Sequence, residues 1–235
     1  MKFHILFQFL KNILSHLKRN KPSQSCSDTP RSLKRGELVG ICVGHSRPGD
    51  KGAVNYDGTV DEWSYNLEAG EALKKALKDK GVRSVLYSTY EGKTYRTAMT
   101  YIRKKLKLDG ATLAVELHFN ASGIPTVRGC ETWYRYGSPE GRKLAQHIQT
   151  SIIAAYGNRN RGVKAAKAPD RGFSFMKNDA LPAVLCEPFF GDDKKDYILF
   201  SKPSKLGQHL ADGIYNFLLD KHTSNQSARK DNAVE

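Results

Sequence analysis

The sequence predicts an α/β fold, a twisted and mostly parallel central sheet flanked by helices on both faces. Three observations predict it. Between residues 37 and 220, short apolar strand-like runs alternate with amphipathic helical stretches, the order that builds a sheet covered by helices. A chain of 235 residues with 39% hydrophobic and 10% aromatic content can bury one sizeable core and still carry extensions. His45, His118 and Glu187 stand at or just past the ends of apolar runs, where open α/β sheets gather their sites.

Taken in order, Leu38–Val43 is apolar throughout and reads as the first strand. A helix is expected over 62–80, with Leu67, Leu73 and Leu77 on one face and Gly81 just past its end. Residues 82–88 form a second strand. A helix over 95–107 turns Met99, Ile102 and Leu106 inward. Strands follow over 113–119 and 130–136. Pro139–Tyr156 is a helix with proline in its first turn. Residues 157–172 read as a loop, with Asn160-Arg161-Gly162 at a turn. Ala183–Glu187 is a further strand, halted by Pro188. A closing helix over 205–219 aligns Leu206, Leu210, Ile214 and Phe217. No internal repeat is visible.

The ends differ from the middle. Residues 1–19 place Phe3, Leu6, Phe7, Leu10, Ile13, Leu14 and Leu17 at three- and four-residue spacing among basic side chains. That is a basic amphipathic helix, suited either to an anionic membrane surface or to packing on a protein. Residues 20–36 form a polar, Pro/Ser-rich linker, and 221–235 a tail expected to be disordered. The net charge is +14, and residues 1–35 hold eight lysines and arginines against Asp28 alone, half of the excess. Such a balance favours polyanions: nucleic acid, anionic lipid or an acidic cell wall. The run 5–10 is interrupted by Gln8 and lacks a small-residue cleavage site, so no secretory signal peptide is expected. No stretch approaches the ~20 apolar residues of a spanning helix. Of the four cysteines, Cys42 and Cys186 lie in apolar runs and read as small buried hydrophobes. No C-x-x-C pair offers a cysteine metal site.

The chemistry-bearing residues are His45 in Val43-Gly44-His45-Ser46, Glu62 in the first turn of its helix, His118 at the end of Ala114-Val115-Glu116-Leu117-His118, and Glu187. Two imidazoles and a carboxylate with a further acid nearby suit a catalytic zinc, which needs N/O ligands, an open position for water and a proton carrier. Gly44 is expected to let the chain turn sharply before His45 and to keep the approach to its imidazole open. Asp61 and Glu68 rival Glu62 as a ligand, although Glu68 faces elsewhere on the helix. His118 is the strongest signal, because a polar group in an apolar strand needs a reason. Glu116 and Asn120 share its face. Glu116 is expected to orient His118 or touch the water, and Asn120 to hold a loop or a substrate amide. Glu187, an acid ending an apolar strand, is the candidate general base and acid.

These motifs resemble the zinc-dependent N-acetylmuramoyl-L-alanine amidases of the amidase_3 group. The likeness rests on Gly44-His45, Gly52-Ala53, Glu62-Trp63-Ser64-Tyr65-Asn66-Leu67, His118-Phe119-Asn120-Ala121, Asn160-Arg161-Gly162-Val163-Lys164 and Pro182-Ala183-Val184-Leu185-Cys186-Glu187. They follow the family's order over about 37–220, which the resemblance makes a zinc amidase catalytic domain. It implies one Zn2+ held by His45, Glu62 and His118, and Glu187 as the catalytic acid. The implied reaction is hydrolysis of the amide between N-acetylmuramic acid and L-alanine in peptidoglycan. The implied place of action is the bacterial cell envelope, in wall remodelling or in lysis of the kind phages carry out. Two departures stand out: Cys42-Val43 replace Asp-Pro before Gly-His, and Glu116 replaces a serine. The stretch from His118 to Arg161 is short for the inhibitory helix some members carry, so self-inhibition by that device is not expected.

Two other function classes fit the residues alone. One is a different zinc peptidase or amidohydrolase. The other is a non-catalytic module that binds wall polymer or another polyanion, with no specific nucleic acid expected. Product identity separates the first from the amidase, and the retained motif positions argue against the second.

Overall fold

The computed structural model describes residues 36–231 apart from 125, 171 and 178–180, with the backbone alone from 225 onward. The expected basic helix over 1–19 and the linker through 35 lie outside the described residues, as do 232–235. Six strands make one sheet: β1 (Leu38–Val43), β2 (Arg83–Tyr87), β3 (Leu113–Leu117), β4 (Cys130–Arg135), β5 (Asn160–Ala166) and β6 (Ala183–Glu187). Their order is β2-β1-β3-β6-β4-β5. The first four run parallel, while β4 is antiparallel to β6 and parallel to β5, so the last two strands point the other way.

The helices are α1 (Glu62–Asp79), α2 (Tyr95–Leu108), α3 (Pro139–Tyr156), α4 (Phe173–Met176), α5 (Lys194–Leu199) and α6 (Pro203–Asp231). Side-chain alternation along the strands divides the core into two layers. Val39, Ile41, Val115 and Val184 meet Leu73 of α1, Ile148 of α3 and Ile214 of α6. Cys42, Ala114 and Leu185 face the opposite way, onto Ile102 and Leu106 of α2 and Phe175 of α4. Both faces are therefore covered, as the alternation of elements predicts. Burying Ile102 and Leu106 contributes about 1.5–3 kcal/mol each.

Local chemistry fixes the helix ends. Asp61 caps α1 by accepting from the Ser64 amide at 2.8 Å. Thr94 and Thr97 satisfy one another's backbone at the start of α2. Ser138 caps α3, Pro139 opens it, and left-handed Gly157 closes it.

The structure departs from the expectations in three places. Residues 160–166, read as loop and turn, are β5, whose mostly half-exposed side chains leave no apolar signature on an edge strand. The short helices α4 and α5 are too brief to show a period in sequence. The last helix, expected to end at Leu219 before a disordered tail, continues to Asp231. Lys221 ties to Glu37 at 3.1 Å, and the hydroxyls of Thr223 and Ser224 bond back to the carbonyls of Leu219 and Asp220. Among the described residues no helix is long and apolar enough to cross a membrane.

Candidate metal centre

Three parallel strands end on one edge of the sheet, at Val43, Leu117 and Glu187. The ladder runs one residue further: the Gly44 amide donates to Leu117 O at 2.9 Å, and the His118 amide to Cys186 O at 3.0 Å. His45 and His118 thus emerge side by side, their rings edge to face with centroids 5.0 Å apart. Extending the β3–β6 register by one position sets His118 beside Glu187 on the same face, and adjacent strands lie about 4.7–4.9 Å apart.

Gly44 makes this approach possible. The left-handed residue is His45 itself, at φ 57°, the one non-glycine with positive φ among the described residues. Such a conformation costs on the order of 1–3 kcal/mol, a strain that marks functional turns. Gly44 is needed for space: a Cβ there would lie 2.3 Å from His118 Cε1. Gly52 plays the same part opposite, where a Cβ would lie 2.6 Å from Glu62 Oε2.

Glu62 starts α1 and is buried, 1% exposed. Oε1 accepts from the Phe119 amide at 3.1 Å and lies 2.9 Å from His118 Nδ1. Oε2 accepts from the Ala53 amide at 3.0 Å and lies 3.2 Å from His45 Nε2. Burial raises this carboxyl, but the contacts and charge of His118 and His45 outweigh it and hold it well below the usual range. Burial in turn lowers both imidazoles, and the carboxylates reverse this. Glu116 and Glu62 lift His118 well above its ordinary value, and Glu62 with Asp50 lifts His45.

His45, Glu62 and His118 form the group of potential metal ligands among the described residues, one ligand atom from each lying within 4.8 Å of the others. Two tests favour a cation. His45 Nε2 is buried and has no hydrogen-bond partner although a carboxylate oxygen is 3.2 Å away, a gap an ion would fill. Two imidazoles and a carboxylate are also the donor set of zinc sites that keep a position open. Of the rivals, Asp61 is the helix cap and Glu68 is exposed.

The neighbouring residues complete the picture. Glu116 Oε2 lies 3.4 Å from His118 Nε2. Asn120 Nδ2 donates to Glu131 Oε1 at 3.1 Å. Glu131 was not anticipated. It faces Glu187 across the β4–β6 pair and also accepts from Trp133 Nε1 at 3.2 Å and Arg161 Nε at 2.6 Å. Its signal was there: a charged residue between Cys130 and Thr132 in a predicted strand. Asp50 was missed too, 3.0 Å from His45 Nδ1 and paired with Arg47. Arg161 of β5 donates to Glu131 Oε2 and lies over the Phe190 ring at 5.0 Å.

Beside the centre opens a cleft of about 750 Å3, with His45, Glu116 and His118 on one side and Arg96, Arg103 and Lys177 among its other walls. Arg103 donates to the Ser174 carbonyl, joining α2 to α4. Between β3 and β4 no helix occurs among the described residues.

The chain is similar to proteins of known kind. The family model described as N-acetylmuramoyl-L-alanine amidase matches residues 39–220. The chain is 27% identical over 187 residues to N-acetylmuramoyl-L-alanine amidase LytC of Bacillus subtilis strain 168, covering 77% of this chain but only 36% of that protein. It is 32% identical over 211 residues to the endolysin of Bacillus phage SPP1, covering 83% of this chain and 70% of the endolysin. The crystal structure of N-acetylmuramoyl-L-alanine amidase from Clostridium difficile 630 superposes with a TM-score of 0.66 at 26% identity, covering 80% and 98% of the two chains.

Proposed function

This chain belongs to the N-acetylmuramoyl-L-alanine amidase family, and we propose that it is a zinc hydrolase of the bacterial cell envelope. It cleaves the amide between the lactyl group of N-acetylmuramic acid and L-alanine in peptidoglycan, in wall remodelling or lysis. The observation that carries this reading is the convergence of His45, Glu62 and His118 at the strand edge where Glu187 ends β6.

Zinc, when bound by these three residues, supplies a Lewis acid for the scissile carbonyl and lowers the pKa of water to about 7. Glu187 takes a proton from the attacking water onto a carboxylate oxygen. It then gives that proton to the L-alanine nitrogen as the C–N bond breaks. The products are a lactyl carboxylate on the sugar and a free amino terminus on the peptide. Arg96, Arg103 and Lys177 give the adjoining cleft a positive wall suited to an acidic wall peptide. The basic segment over 1–19 is proposed to add affinity for an anionic membrane surface, read from its sequence pattern alone.

Product identification on purified peptidoglycan tests the reaction. New L-alanine amino termini with intact glycan strands are expected; cuts within the stem peptide would refute the amidase assignment.

A further inference from the structure

Each candidate metal histidine carries a carboxylate on the edge of its ring turned away from Glu62. For His45 it is Asp50, whose Oδ1 lies 3.0 Å from Nδ1, leaving Nε2 toward Glu62 Oε2 at 3.2 Å. For His118 the ring is reversed: Nδ1 is 2.9 Å from Glu62 Oε1, and Nε2 is 3.4 Å from Glu116 Oε2. Both oxygens of Glu62 are thus engaged, one by each ring: Oε1 by His118 Nδ1 and Oε2 by His45 Nε2.

Resting on the zinc reading above, we infer that Glu116 is a positioning residue: it accepts the Nε2–H of His118 and so commits this histidine to bind the metal through Nδ1. A neutral imidazole has one N–H and one bare nitrogen, and the partner of the N–H decides which nitrogen is bare. His118 Nε2 is buried and makes no closed hydrogen bond, so a proton there needs an acceptor. Glu116 supplies it at ion-pair distance. The carboxylate is itself held in place. It is 2% exposed in the middle strands of the sheet, where β1 and β6 flank β3. The buried Tyr90 hydroxyl lies near it together with Cys42, and burial and the charge of Cys42 and Glu116 push that hydroxyl well up. Tyr90 is fixed in turn by its amide, which donates to Ser46 O at 2.8 Å next to His45. Tyr90 therefore stands between the His45 turn and Glu116.

The test uses the full chain loaded with one equivalent of zinc. Long-range 1H–15N correlation of the histidine rings reads the protonated nitrogen directly. Nε2–H with Nδ1 on the metal is expected for His118; Nδ1–H with Nε2 on the metal overturns the inference even if zinc binds tightly. Zinc affinity by competition with a chelator gives the second readout. Glu116→Leu removes the acceptor and should weaken binding about 10–100-fold. Glu116→Gln keeps an acceptor and the shape, and should recover most of that loss; equal affinity in all three proteins overturns the role. A wild-type chain that takes up no zinc refutes the metal reading itself, and this inference with it.

Discussion

The two sides of the centre are built on opposite principles. On one, His45, Glu62 and His118 crowd together with a buried imidazole nitrogen left unpaired, an arrangement that a cation completes. On the other, Glu131 is fully engaged by Asn120, Trp133 and Arg161, and no ion is required. The buried carboxylates Glu62 and Glu131 are similar in chemistry and differ in neighbours. Glu62 is set among groups that must give up protons to ligate, Glu131 among permanent donors. On the zinc reading the first is a ligand set and the second a scaffold, with Glu187 ending its strand between them.

This contrast can be broken at several points. The largest effect belongs to the ligand side: His118→Ala should abolish stoichiometric zinc and activity together. Metal analysis checks this, and one full equivalent of zinc in that variant would contradict the ligand assignment. Glu187→Gln should separate the two properties, keeping zinc while the turnover number falls about 10²–10⁴-fold. Unchanged turnover removes Glu187 from the mechanism. Acid should act on the ligand side next. His45 and His118 bind protons more tightly than free imidazole in the metal-free protein, and both must be neutral to ligate. Protons therefore compete with metal, and zinc affinity should fall as pH drops, by about tenfold per unit for each proton taken up. Chelator competition from pH 8 to 5 checks this, and an affinity that stays flat would contradict ligation by these histidines. The smallest effect lies on the scaffold side. Arg161→Ala leaves Glu131 with its neutral donors but without its cation. Because Arg161 is partly exposed, a loss of about 1–3 kcal/mol in denaturant unfolding is expected, with zinc content unchanged.

How far the sequence disclosed this follows from what each residue's neighbours are. β1 and β6 are buried strands of continuous apolar residues, and α3 begins with proline and ends at glycine, so their limits were legible. β5 was not, because an edge strand of Asn-Arg-Gly-Val-Lys needs no apolar pattern to pair with β4. The same split holds at the centre. His118 and Glu187 announce themselves as polar residues closing apolar runs. Asp50 sits in a polar turn, where an acid is unremarked, and its approach to His45 depends on the left-handed backbone of His45. Glu131 opposes Glu187 only because β4 reverses direction, a fact of topology that no local spacing encodes.

Anomalous diffraction at the zinc absorption edge, from crystals of the zinc-loaded protein, puts the whole account at risk in one map. A single strong peak is expected within bonding distance of His45, Glu62 and His118, with Glu187 across an open position and not bound to the ion. No peak there, or a peak ligated by Glu187 in place of any of the three, would contradict it.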